Sequence, residues 1–126
     1  MTQIKLKRVY EPYESTDGYR VLVDRLWPRG ITKESLHCDL WAKEIAPSTA
    51  LRQSYHQSED CPWEIFRVKY IDELEKSPAV NDFIDKIKDK KMVTLLYASK
   101  NAAENHAVVL QSFLENYTAT FDVGEI

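Results

Sequence analysis

The run Met92-Val93-Thr94-Leu95-Leu96-Tyr97-Ala98 is the strongest constraint on the fold, because it is too short for a buried helix and too apolar for a strand with one wet face. Such a strand sits in a sheet covered on both sides. A second segment, Tyr19 to Leu26, has the same character in its middle and stops at Asp24-Arg25-Leu26-Trp27-Pro28-Arg29-Gly30. A first, partly exposed strand is expected over residues 3–10, where Ile4 and Leu6 alternate with Lys5 and Lys7.

Helical spacing fills the intervals between these strands. Pro62 suits a first helical position, followed by Trp63, Phe66, Tyr70, Ile71 and Leu74 over about four turns. Ser77-Pro78 restarts the pattern with Val80, Phe83, Ile84 and Ile87. Thr32 is placed to cap a short helix from Lys33, and Ser48 one through Leu51 and Tyr55. Asp39 to Ile45 reads as a short strand or irregular chain. After the last strand, Asn101 with Glu104 resembles a capping box for a helix reaching about residue 117.

The fold class expected is α/β: a small, mostly parallel sheet of three to four strands covered by helices, with Rossmann-like layering. Residues 3–117 form one domain, and 118–126 are a C-terminal tail or an edge strand. A chain of 126 residues with 44% hydrophobic and 29% charged residues supports one ordinary globular core.

Composition also narrows function. A formal net charge of −3 and the lack of a basic stripe disfavour nucleic acid as a partner. No apolar run is long enough to cross a bilayer, so no membrane partner is expected. Without an apolar leader at the first residues, and with only Cys38 and Cys61 to form a disulfide, reduced thiols in the cytoplasm are expected. His37, Cys38, His56 and Cys61 sketch a zinc site but lack paired ligand spacing, so no metal and no cofactor is expected. The chain has no Gly-rich phosphate loop, no G-x-S-x-G and no H-E-x-x-H.

What remains is two strand ends. In an open α/β sheet ligands bind beyond the carboxyl ends of the strands, and two neighbouring parallel strands would bring Asp24–Gly30 together with Ser99–His106. Arg25, Arg29 and Lys100 would hold an anion, helped by the amide groups of a strand-to-helix turn. Asp24 can orient an arginine, bind a ligand hydroxyl or act as a base. Trp27 can wall the pocket or pack the turn onto the next helix. His106 is the best proton carrier, since imidazole titrates near neutrality, and its alternative role is to hold a loop carbonyl. Ser99, Asn101 and Asn105 suit caps and loop bonds better than catalysis.

The residues Asp17-Gly18-Tyr19-Arg20-Val21-Leu22-Val23-Asp24-Arg25-Leu26-Trp27-Pro28-Arg29-Gly30 closely resemble the YeaO-like subgroup of domain-of-unknown-function family 488. Asp39–Lys43 with Ala46-Pro47-Ser48, then Trp63 to Tyr70, then Leu95–Lys100 with Asn105-His106-Ala107 agree with it, so the match covers about residues 3 to 117. The resemblance implies a small α/β domain in which a strand ending in an acid and arginine, with a following proline, faces a strand ending in Cys-x-Glu and then Cys-His-Arg. Tyr97 and Ser99 stand here at the Cys and Glu positions, Asn105 replaces the second Cys, and only His106 of the last motif remains. The implied inheritance is a shared pocket without thiol or metal-thiolate chemistry.

Two functions are consistent with these readings. One is a cytoplasmic enzyme acting on a small anionic substrate, a nucleotide or phosphorylated metabolite, with Asp24 and His106 catalytic and Arg25, Trp27, Arg29, Lys100 and Asn105 binding. The other is a non-catalytic anion- or nucleotide-binding sensor or interaction module using the same pocket.

Overall fold

The computed structural model describes residues 2–57 and 61–124, with side chains assigned through residue 55 and over 61–117. Four strands, β1 (Gln3–Arg8), β2 (Tyr19–Leu22), β3 (Leu40–Trp41) and β4 (Met92–Tyr97), form one sheet in the order β1-β4-β2-β3, with every pairing parallel. The α/β expectation holds. β4 lies between β1 and β2, with Leu95 level with Leu6 on one side and Val21 on the other. That central place explains why its sequence is apolar on both faces.

One face of the sheet carries most of the core. Ile4, Val21, Val23, Val93, Leu95 and Tyr97 pack with the buried sides of α2 (Thr49–Gln57), α3 (Trp63–Lys76), α4 (Pro78–Ile87) and α5 (His106–Gly124). Phe66, Tyr70 and Leu74 of α3 are buried at helical spacing, as are Val80, Phe83, Ile84 and Ile87 of α4. Pro62 is the N-cap of α3 rather than its first residue, whereas Pro78 does occupy the first turn of α4. Ser48 Oγ accepts the Leu51 N–H at 3.1 Å, capping α2 as its spacing predicts, and donates to Glu73 at 2.6 Å.

The opposite face is thinner and half polar. Toward the carboxyl ends, Val9, Leu22, Leu36 and Leu96 form a second apolar cluster under α1 (Lys33–Leu36), whose Thr32 cap accepts the Ser35 N–H at 3.1 Å. Toward the amino ends, the buried Asp17 carboxylate gathers Lys5 (2.8 Å), Lys7 (3.1 Å) and Arg20. Burial alone would raise the Asp17 pKa; hydrogen bonds from Lys5, the Glu14 N–H, Lys7 and Arg20 outweigh it and hold the carboxyl far below the ordinary range. Gly18 beside it has φ +66°, and a Cβ there would lie 2.4 Å from the Met92 carbonyl oxygen, so only glycine fits.

Asp39–Ile45, expected as a short strand or irregular chain, is the two-residue β3 followed by a 3-10 turn, Lys43–Ile45. Other boundaries differ from the sequence reading. β1 ends at Arg8, and β2 ends at Leu22, where Asp24 turns out of the sheet. The last helix begins at His106 and runs to Gly124, so the segment expected as a tail or edge strand continues as helix through residue 124. Residues 125 and 126 of that segment lie outside the described residues. Among the described residues no helix is long and apolar enough to cross a membrane.

Candidate functional site

The adjacency of β2 and β4 brings the two strand ends together, and one side chain fastens them. Val23 N–H still donates to Leu96 O at 3.0 Å, but the next donor along β4, the Ala98 N–H, goes to Asp24 Oδ2 at 3.0 Å. A carboxylate thus continues the ladder where backbone pairing stops, and the chain beyond Asp24 is free to diverge from the sheet. The divergence opens a cavity of about 390 Å³. Asp24, Arg25 and Leu26 form one wall, the segment from Ala98 through His106 a second, and Pro47, Arg52, Tyr55 and Phe66 of the helical layer the third.

His106 is the first residue of α5, and Asn105 sets it there. Asn105 Oδ1 accepts the Val108 N–H at 3.1 Å as the helix cap, while its Nδ2 donates to Asn101 O at 2.7 Å. The capping expected at Asn101 is a turn instead: its Oδ1 accepts the N–H groups of Ala103 and Glu104 at 3.0 and 2.9 Å. His106 Nε2 then lies 3.1 Å from Val23 O and 2.9 Å from Asp24 Oδ1. Both neighbours are acceptors, so Nε2 carries the proton and in the neutral ring Nδ1 is the unprotonated nitrogen. The alignment favours Val23 O, which leaves Asp24 Oδ1 close to the ring but without a hydrogen bond.

Tyr70 supports the histidine from the core. Its ring meets the imidazole at 6.4 Å between centroids and 66°, and its hydroxyl donates to Ile45 O at 2.6 Å. Burial pushes the Tyr70 phenol well above its ordinary pKa, with the Glu73 charge adding to the effect, so it stays protonated. Burial likewise raises the Tyr55 and Tyr97 phenols.

The cations divide differently from the sequence reading. Arg25 lines the cavity, yet its Nε donates to Pro47 O at 3.0 Å and its Nη2 to Ala46 O at 3.2 Å, so it also ties the strand end to the helical layer. Lys100 lies exposed at the rim. Arg29 is exposed outside the lining, its carbonyl accepting from Tyr10 Oη at 3.4 Å. Trp27 is outside the lining too: its Nε1 donates to Ile31 O at 2.6 Å and its ring packs edge-on against Trp41, which holds Asp24 O at 2.8 Å. Trp27 therefore braces the loop from behind.

Arg52, which the sequence did not single out, lines the cavity where Arg29 does not. Among the described residues two buried side-chain polar atoms lack a hydrogen-bond partner, Asp24 Oδ1 and Arg52 Nε, and both belong to residues of this one cavity. Native proteins satisfy nearly all such atoms; Asp24 Oδ1 has His106 Nε2 at 2.9 Å, so the donor left unmatched is Arg52 Nε. The signal in the sequence was the spacing of Arg52 and Tyr55, three apart on one helix face. A larger groove of about 600 Å³ between α3 and α5 is lined by residues such as Trp63, Ile71 and Phe113, and holds neither orphaned atom.

Cys38 and Cys61 are free thiols and neither lines the cavity. Burial raises the Cys38 thiol, which donates to Leu40 O at 2.9 Å. The side chain of His56, the remaining member of the zinc sketch besides His37, lies outside the described residues.

Comparison with known proteins agrees with the resemblance drawn from the motifs. Residues 3–125 match the family model described as the inactive DUF488-N3 subclade. The chain is similar to the uncharacterized protein YeaO of Escherichia coli (strain K12), 48% identical over 113 residues that cover 90% of this chain and 97% of that protein. It is 38% identical over 113 residues to the uncharacterized protein Rv3073c of Mycobacterium tuberculosis (strain ATCC 25618 / H37Rv), covering 90% of this chain and 94% of that protein. The same figures relate it to the uncharacterized protein Mb3100c of Mycobacterium bovis (strain ATCC BAA-935 / AF2122/97). No solved structure matches the chain. By the span of the family match and the identity to its relatives, this chain belongs to the inactive DUF488-N3 subclade.

Proposed function

We propose that this protein binds a small anionic molecule, of the nucleotide or phosphorylated-metabolite kind, in the cavity at the carboxyl ends of β2 and β4, and holds it without converting it. The observation that carries the reading is Arg52 Nε, a buried guanidinium donor without a protein acceptor on the cavity wall. An anion seated on that guanidinium supplies the missing acceptor, and Lys100 and Arg25 in the same lining add positive charge against the carboxylates of Asp24 and Glu104. Binding without turnover is supported by the bonding of Asp24 and His106, which pin Ala98 N and Val23 O and so serve the architecture of the strand ends. The family's description as inactive agrees. We further take the protein to work in the reducing cytoplasm, a reading supported by its two free thiols.

Calorimetric titration with inorganic phosphate and a panel of nucleotides and sugar phosphates tests the reading. Binding that Arg52→Gln weakens at least about tenfold supports it; a panel that gives no heat and no thermal shift refutes it. A second reading, acid/base catalysis, is favoured by the 2.9 Å approach of His106 Nε2 to Asp24 Oδ1, which puts an imidazole and a carboxylate side by side on the cavity wall. It requires that a bound ligand be consumed by the wild type and left intact by His106→Gln.

A further inference from the structure

An inorganic anion alone would leave much of this cavity without a purpose. Leu26 is 62% exposed although it follows a buried strand and lines the same cavity as Arg52. Tyr55, half-buried, presents its ring on the same wall, backed by the buried Phe66 with centroids 4.5 Å apart at 28°. At about 390 Å³ the space falls in the range of small-molecule sites, roughly 300–1,000 Å³, which pair a mostly apolar lining with a few placed polar groups.

We infer that the ligand is an anion carrying a planar apolar body, its charged group on Arg52 and its body against Leu26 and the Tyr55 ring. The inference rests on the anion-binding reading and specifies the ligand class. Leu26 is then a specificity residue: it contributes apolar surface to the ligand and nothing to the charge. Covering it and the open part of the Tyr55 ring removes apolar area from water on both partners, enough for about a tenfold gain in affinity.

The experiment compares inorganic phosphate, methyl phosphate and phenyl phosphate by calorimetry on the full chain, on Leu26→Ser and on Arg52→Gln. Leu26 is exposed, so the serine variant is expected to keep the fold. Phenyl phosphate should bind about tenfold more tightly than methyl phosphate. Leu26→Ser should reduce that preference to about threefold or less, and Arg52→Gln should weaken all three. Equal affinity for phenyl and methyl phosphate overturns the inference and leaves anion binding standing. A preference fully kept in Leu26→Ser overturns the role given to Leu26. Failure of all three phosphates to bind overturns the anion-binding reading and, with it, the inference.

Discussion

Asp24 Oδ2 accepts the Ala98 N–H at 3.0 Å, so a side chain of the segment after β2 completes the hydrogen bonding of β4 at the point where the two strands part. This bond makes the cavity possible. It satisfies the Ala98 N–H without backbone pairing, so the segment 24–26 can leave the sheet.

Replacing Asp24 by Ala leaves the Ala98 N–H without its acceptor beside the core. The expected loss is about 1–3 kcal/mol of stability, read from urea denaturation. Asp24→Asn keeps one oxygen for that bond and should lose less.

Asp17 makes stability depend on acid. Its pKa in the folded protein is depressed, so its contribution is fully present above the ordinary carboxylate range and is lost as pH falls through that range toward the folded value. The melting temperature should therefore fall steeply below about pH 4. Asp17→Asn should flatten that acid limb and lower stability at pH 7 by about 3–5 kcal/mol, because Arg20 remains buried without its counter-charge while Lys7 keeps only Glu14, at 2.8 Å. A melting profile identical to wild type between pH 3 and pH 7 would contradict this account.

Gly18→Ala should destabilise the fold by more than about 1 kcal/mol, since the residue has φ +66° and an added Cβ meets the Met92 carbonyl. Gly30 offers the control. Its φ is +76° but no atom lies within 4 Å of an added Cβ, so Gly30→Ala should cost less in the same denaturation assay.

The sheet was readable where one strand's environment is uniform and obscure where side chains replace backbone. The apolar run at residues 92–97 has neighbours on both edges and covered faces, and its composition says so. The meeting of Asp24 and His106 follows from putting those strand ends side by side. The start of α5 was harder, because Asn101 and Asn105 both make cap-like bonds and only the second opens a helix. Motif density draws attention to residues 24–30, but the turn braced by Trp27 carries Arg29 out to solvent, outside the cavity lining. Arg52 reaches the cavity from a helix whose docking depends on tertiary packing.

The central claim is that Arg52, and not Arg29, forms the anion site. Calorimetric titration of inorganic phosphate into wild type, Arg52→Gln and Arg29→Gln decides it. The account predicts equal binding by wild type and Arg29→Gln and a loss of at least about tenfold in Arg52→Gln; phosphate binding that survives Arg52→Gln, or that Arg29→Gln removes, would contradict it.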